Sequence, residues 1–308
     1  MKYRVDRSTI IHKDLEHILP LIEDFTKWHL WSPWTIIEPD CKLNFTGKPG
    51  EPGHSMSWEG DIIGSGTNTL LEKRDKQLNY DLKFIKPFKS RAKVSFIFEP
   101  KEGSTKVRWT MDSSMPFFLF FMIKTMKNWI GMDYDRGLSM LKEIAEKGAF
   151  RAKTKVSGSC DLGGYGYVGI KKTVPFSQLG QEMEKDFARL QSEIADKLAQ
   201  QPKHFLSLYP KMDMKNMRMT YIAAVSDEGA QKMELGREYV RGSIKKGKAF
   251  EVKHDGPYDF IGNAWSMGMM HLRAKKMRPS GVPFEEYWND PRQTEPKDLK
   301  TSIFFPLK

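Results

Sequence analysis

Cysteine is scarce: Cys41 and Cys160 are the two in 308 residues. One pair so far apart in sequence makes no disulfide framework and offers no zinc-ligand spacing, so a reducing, cytoplasmic setting is expected. Long apolar runs are scarce too. The most apolar stretch, Phe117 to Ile123, is broken by Lys124 and falls well short of the ~20 residues that span a bilayer. The opening MKYRVDRSTI lacks the apolar core of a signal peptide. Export, membrane insertion and a membrane partner are therefore not expected. The first half shows no Ser/His/Asp set and no H-x-x-x-H spacing, and its His12, His17, His29 and His54 stand isolated. With no glycine-rich cofactor loop either, no catalytic residue, metal or cofactor is expected.

What the chain does have is size, apolar content and positive charge. A length of 308 residues exceeds the usual single core, so two domains are expected. Hydrophobic residues at 39% and aromatics at 12% suit packed domains rather than disorder. The net charge is +11, with 23 Lys/Arg against 20 Asp/Glu up to residue 150 and 27 against 19 beyond it. The excess lies in short clusters such as Lys245-Lys246 and Lys275-Lys276, without a basic arm, a heptad helix or zinc-finger spacing. That pattern reads as solvated surface; direct nucleic-acid binding is not expected, and a protein partner stays open.

The first half opens with Tyr3, Val5, Arg7 and Thr9 alternating at a strand period. Asp14 has the position of an N-cap, and Leu15, Ile18, Leu19 and Ile22 follow at helical spacing. Extended segments are expected near 35–45, 54–61, 66–73, 78–86, 89–99 and 104–112, divided by Gly, Pro and Asp/Asn breaks. A helical pattern over about 118–147 closes this half. A meander with one long terminal helix makes an α+β domain, and a bent sheet against a straight helix leaves an apolar hollow between them.

Several separated motifs resemble one superfamily. Asp24-Phe25-Thr26-Lys27-Trp28 and Trp31-Ser32-Pro33-Trp34 are similar to the "DF..W..WSPW" signature of START-like polyketide cyclase/dehydrase (SRPBCC) proteins. Gly53 to Gly60, Gly64-Ser65-Gly66, Gly103 to Trp109 and the helix through Gly137 and Leu141 resemble its hairpins, a late strand and its terminal helix. The resemblance covers about residues 2–147 and implies a helix-grip domain over 1–148. The superfamily holds binders, carriers and a few enzymes, so fold alone does not give function. Trp28, Trp31 and Trp34 read as core; Trp58, Phe84 and Trp109 are the candidates for lining a ligand cavity.

Residues 147–158 are small and charged without a period and read as a linker. The second half then shows an extended stretch from Cys160 to Lys172, containing Tyr165 and Tyr167. A helix follows over about 177–200, whose apolar face is Leu179, Met183, Phe187, Leu190, Ile194 and Leu198. Extended segments near 204–209, 216–225, 236–244 and 248–254 precede a helix over about 258–277 and a closing strand over 301–305. Strand, helix and further strands thus occur twice, which suggests duplicated strand-helix-strand halves with a pocket between them.

His254-Asp255-Gly256-Pro257-Tyr258 with Trp265, then Gly281 to Pro291, then Leu299 to Leu307 resemble the "H.GPY......W", "G.P.E.Y.NDP" and "L.TEI..P" segments of GyrI-like effector-binding domains. The resemblance covers about 158–308 and implies a small-molecule site that takes in Tyr167, Tyr258, Trp265, Tyr287, Trp288, Ser302 and Phe304. One departure stands out. The family's closing strand usually carries a Glu that pairs with cationic ligands and, in members that hydrolyse cyclopropane-containing compounds, belongs to the catalytic machinery. Ser302 holds that position here, and a hydroxyl cannot neutralise a buried cation. Glu251, Glu285 or Glu286 could substitute, but each reads as an exposed surface charge.

The preferred reading is non-catalytic binding of small hydrophobic or aromatic molecules, as an effector sensor, in hollows free of a reactive acid. Two alternatives stand beside it. One is a hydrolase of reactive xenobiotics in the second domain. The other is a transcription co-regulator without a DNA-binding domain of its own, since no paired short helices with a basic recognition face are found.

Overall fold

The computed structural model describes residues 1–198 and 204–308. The chain divides into two compact units, Met1–Arg151 and Ala152–Lys308, and each is an α+β domain on its own antiparallel sheet. No helix among the described residues is long and apolar enough to cross a membrane.

In the first unit, β1 (Lys2–Ile11) and α1 (Leu15–Glu23) precede β2 (Lys42–Thr46), β3 (Ser55–Glu59), β4 (Ser65–Arg74), β5 (Gln77–Lys86), β6 (Ser90–Lys101) and β7 (Ser104–Ser114), and α2 (Ile123–Lys147) closes it. The sheet order is β1-β7-β6-β5-β4-β3-β2: a meander whose last strand takes the first as its neighbour. α2 packs over β1 and stops at Gly148, whose φ of 78° only glycine adopts without strain.

Asp14 does sit at the N-cap of α1, but its carboxylate makes no capping bond. The other end of α1 is secured by aromatics. Trp28 Nε1 donates to Ile22 O at 2.8 Å, Trp31 Nε1 to Leu21 O at 2.8 Å, and the Tyr80 hydroxyl to Ile22 O at 3.0 Å. Terminal carbonyls that no helix turn can satisfy are thus paired inside the core.

Three expectations for the chain up to the domain junction need correction. The 35–45 segment is a strand only from Lys42, because Trp31 to Asp40 fold as turns. The expected terminal helix begins later, since Phe117–Met122 form a 3-10 turn that buries none of its residues. The second half of the small, charged run read as a linker, from Lys153 on, belongs to β8 (Lys153–Leu162); its alternation of half-buried and exposed residues is an edge strand's pattern.

The second unit continues with β9 (Tyr165–Pro175), α3 (Leu179–Glu193), β10 (His204–Asp213), β11 (Arg218–Ser226), α4 (Glu228–Lys232), β12 (Tyr239–Ile244), β13 (Gly247–Asp255), α5 (Gly262–Ala274), β14 (Phe284–Tyr287) and β15 (Lys300–Pro306). The helix expected over 177–200 ends at Glu193, and its last expected positions lie outside the described residues. Strand β14 was not foreseen. Its order, β12-β9-β11-β10-β14-β15-β13-β8, reads the same from both ends if β8–β11 and β12–β15 are exchanged. The duplicated halves are therefore real, and they join at the β10–β14 pair, with Ser207 opposite Glu285 and Leu206 opposite Glu286.

Because strand side chains alternate between faces, this sheet has two cores. One face holds Leu190, Tyr209, Tyr221 and Val225, with Phe187 of α3 and Trp265 of α5 packed on them. The other holds Tyr167, Leu206, Phe284 and Phe304.

Candidate functional site

The first domain encloses a cavity of ≈ 70 Å³, open to water-sized molecules and lined among others by Trp34, Asn68, Leu82, Trp58, Phe84 and Trp109. A buried water needs roughly 10–15 Å³ on this measure, so the space takes several waters or a small ring. The three residues singled out in the sequence all reach it. Trp58 and Phe84 meet edge to face at 5.9 Å, and Gly66 makes room for the Trp58 ring, because a Cβ there would lie 2.4 Å from it. Trp109 is stacked between Tyr134, at 3.8 Å, and Phe96, at 4.9 Å.

Two polar atoms in this lining are buried without a hydrogen-bond partner: Trp109 Nε1 and Asn68 Oδ1. Leaving a buried donor or acceptor unpaired costs about 1–3 kcal/mol. Each belongs to a residue of a lining that is mostly aromatic and aliphatic and also carries Ser32 and Thr35. Trp109 was expected to line the cavity; Asn68 was missed, because one amide on an alternating strand carries no sequence signal of burial.

The second domain places an acid where an oily hollow was expected. Glu285, in β14, is 3% exposed. Trp265 Nε1 donates to its Oε1 at 2.5 Å. The hydroxyls of Tyr209 and Tyr287 donate to its Oε2 at 2.9 and 2.5 Å, and the Tyr287 hydroxyl also lies 2.8 Å from Ser207 Oγ. Burial pushes the Glu285 carboxyl above its ordinary value, although the three donors pull the other way. Desolvation likewise holds the Tyr209 and Tyr287 phenols well above theirs. Tyr258 packs edge-on against Tyr287 at 5.5 Å. Half-buried Tyr258, Trp265 and Tyr287 thus surround an acid seated between α3 and α5.

Tyr167, Trp288, Ser302 and Phe304 do not join that group, because they belong to the opposite face. Phe304 stacks on Phe284 at 5.0 Å, and Tyr167 lies in the same core. Ser302 is fully buried and donates to Glu251 Oε1 at 2.7 Å, while Trp288 Nε1 donates to Ser302 Oγ at 2.9 Å. Alongside, Glu286 bonds His204 Nδ1 and accepts from the Tyr165 hydroxyl at 3.2 Å, and the Tyr165 and His204 rings stack at 4.6 Å.

The expectation that Glu251, Glu285 and Glu286 are exposed is therefore wrong: they are 9%, 3% and 4% exposed. So is the expectation of acid-free hollows, since Glu251 faces the Ser302 strand directly. The physical reason is position. β14 and β13 are interior strands of the eight, and their central residues, Phe284 to Glu286 and Ala249 to Val252, are buried whatever their charge. The sequence did carry a signal for Glu285 and Tyr287, the E and Y of the "G.P.E.Y.NDP" segment. Nothing marked Tyr209 and Ser207 as their neighbours, or His204 and Tyr165 as those of Glu286.

Comparison with known proteins agrees with this division. Residues 2–146 match the family described as polyketide cyclase/dehydrase and lipid transport, and residues 160–308 match the GyrI-like small molecule binding domain. No curated protein matches the sequence. Among solved structures, the EcmrR C-terminal domain is 19% identical, with 51% of this chain and 98% of that one covered at a TM-score of 0.40. A protein from Nitrosospira multiformis is 17% identical, covering 47% and 98% at 0.37. The Aha1 dimer from Colwellia psychrerythraea is 16% identical, covering 47% and 98% at 0.36. The chain thus joins a START-like domain of the polyketide cyclase/dehydrase and lipid transport family to a GyrI-like small-molecule-binding domain.

Proposed function

We propose that the protein binds small hydrophobic or aromatic molecules without transforming them, and that the first-domain cavity is the principal site. The observation that carries this reading is the aromatic lining with two unspent polar atoms, Trp109 Nε1 and Asn68 Oδ1. A few placed polar groups in an apolar wall are what orient a small ligand. The occupant is a flat, mostly apolar molecule that offers an acceptor to the indole N–H and a donor to the amide oxygen. A thermal-shift screen of the full chain against flat aromatic compounds tests it, with hits expected to raise the melting temperature. Asn68→Leu should weaken a donor-bearing hit roughly tenfold, the worth of about one hydrogen bond. A library that leaves the native protein's melting temperature unmoved sinks the reading.

A second reading concerns the GyrI-like domain and is favoured by Glu285. A buried acid with a raised pKa, held against two phenols, has the attributes of a general acid/base group. The reaction class is hydrolysis of a strained, reactive compound such as a cyclopropane-containing one: water adds across a ring carbon–carbon bond, oxygen to one carbon and proton to the other. Turnover by the native protein that Glu285→Gln abolishes would support it. Unchanged turnover in that variant, or none in the native protein, removes it.

A further inference from the structure

We propose that one end of the first domain docks on an anionic lipid bilayer. The 3-10 turn between β7 and α2 leaves Phe117, Phe118, Phe120 and Phe121 exposed at 77%, 70%, 56% and 63%, and the β5–β6 hairpin adds Phe88 at 73%. The two segments leave the sheet together. Ala92 pairs with Ser113, Ser113 Oγ donates to Arg91 O at 3.1 Å, and the turn starts a few residues further on. Five exposed phenylalanines at one end of a sheet form an apolar surface that water alone does not account for.

Charge decides what covers this surface. The acids nearby are already paired: Asp81 with Arg91 and Lys83, Glu59 with Lys86, and Asp112 with Arg4. Lys89 and Lys127 are exposed beside the aromatics and form no ion pair with another described residue. A second copy of this chain would bring a matching positive rim against the first. An anionic bilayer supplies both an apolar interior for the rings and phosphates for the lysines, which is the pairing that holds interfacial proteins on membranes. The hairpin also links this surface to the cavity, since its base residue Phe84 lines the cavity and its tip is Phe88. A ligand partitioned in lipid would therefore arrive beside the cavity wall. This runs against the sequence expectation of no membrane partner, which rested on the lack of a signal peptide and of a spanning segment; surface docking needs neither.

Cosedimentation of the full chain with phosphatidylcholine vesicles, with and without phosphatidylglycerol, tests the proposal. Binding is expected to the anionic vesicles, to fall several-fold on neutral ones, and to weaken as salt rises. The variant F117S/F118S/F120S/F121S should lower it by roughly tenfold or more. Its near-ultraviolet circular dichroism should be unchanged, because only exposed rings are altered. K89E/K127E should remove the preference for anionic lipid and leaves every phenylalanine in place, so it gives an independent readout. Three outcomes overturn the proposal: no cosedimentation, undiminished binding by the quadruple variant, or a native dimer that this variant converts to monomers. The last would assign the surface to a second copy.

Discussion

Glu285 is the side chain whose charge state matters most to the second domain. Burial raises its pKa, so the folded protein holds that proton more tightly than the unfolded chain does. The stability this brings is complete below the ordinary glutamate value of 4.5 and is lost as pH rises through the raised folded-state value. Glu285→Gln cannot titrate. The difference in stability between variant and native protein should therefore shift toward the variant across that window and stay flat on either side. Denaturant midpoints measured from about pH 4 to 8 check this; a constant difference would mean that the acid is not desolvated. A cationic ligand brought against Glu285 would favour the carboxylate and release a proton, which calorimetry in buffers of different ionisation enthalpy detects. Asp186 poses the same problem with a different solution. It is fully buried, accepts from the Tyr221 hydroxyl at 2.6 Å, and pairs with Lys172 Nζ at 2.6 Å. Because the Lys172 side chain is 33% exposed it can return to water, so Asp186→Ala should cost about 2 kcal/mol by chemical denaturation, below the range for a fully buried pair.

The helices of the second domain show how glycine is used for close approach. Gly268 sits on α5 where a Cβ would lie 2.1 Å from Phe305 Cε2, so the helix can settle directly on β15. Gly→Ala in a free helix gains about 1 kcal/mol, whereas overfilling a packed site costs ~1–3 kcal/mol. Gly268→Ala is therefore expected to destabilise. Gly180, in the first turn of α3, has nothing within 4 Å of an added Cβ, and Gly180→Ala should stabilise by up to ~1 kcal/mol. Opposite signs from one substitution type at two helical sites are the expected result of thermal melts. At this scale most of the chain could be read in advance, because alternation and helical spacing are local. The exceptions were local conflicts. Strand β14 is four residues with two glutamates, too short and too charged to look like a strand. The Phe117–Met122 run looked like the start of a helix but buries no side chain.

For the whole molecule, two sheets with separate cores imply two folding units. A chain ending at Arg151 and one starting at Ala152 should each give a cooperative melt by circular dichroism. Failure of either would show that its core is incomplete alone.

The sequence by itself determined most of the strands and helices, the α+β character of both halves, the duplication in the second and the two family matches, because periodicity, turn residues and motif spacing are properties of neighbours along the chain. Only the tertiary structure decided that β14 lies at the centre of eight strands. That position buries Glu285 and Glu286 on opposite faces and divides the expected ligand residues between two cores and a separate cavity. Burial of a charge depends on what the sheet order stacks above and below it, and sheet order is set by pairings between strands far apart in sequence.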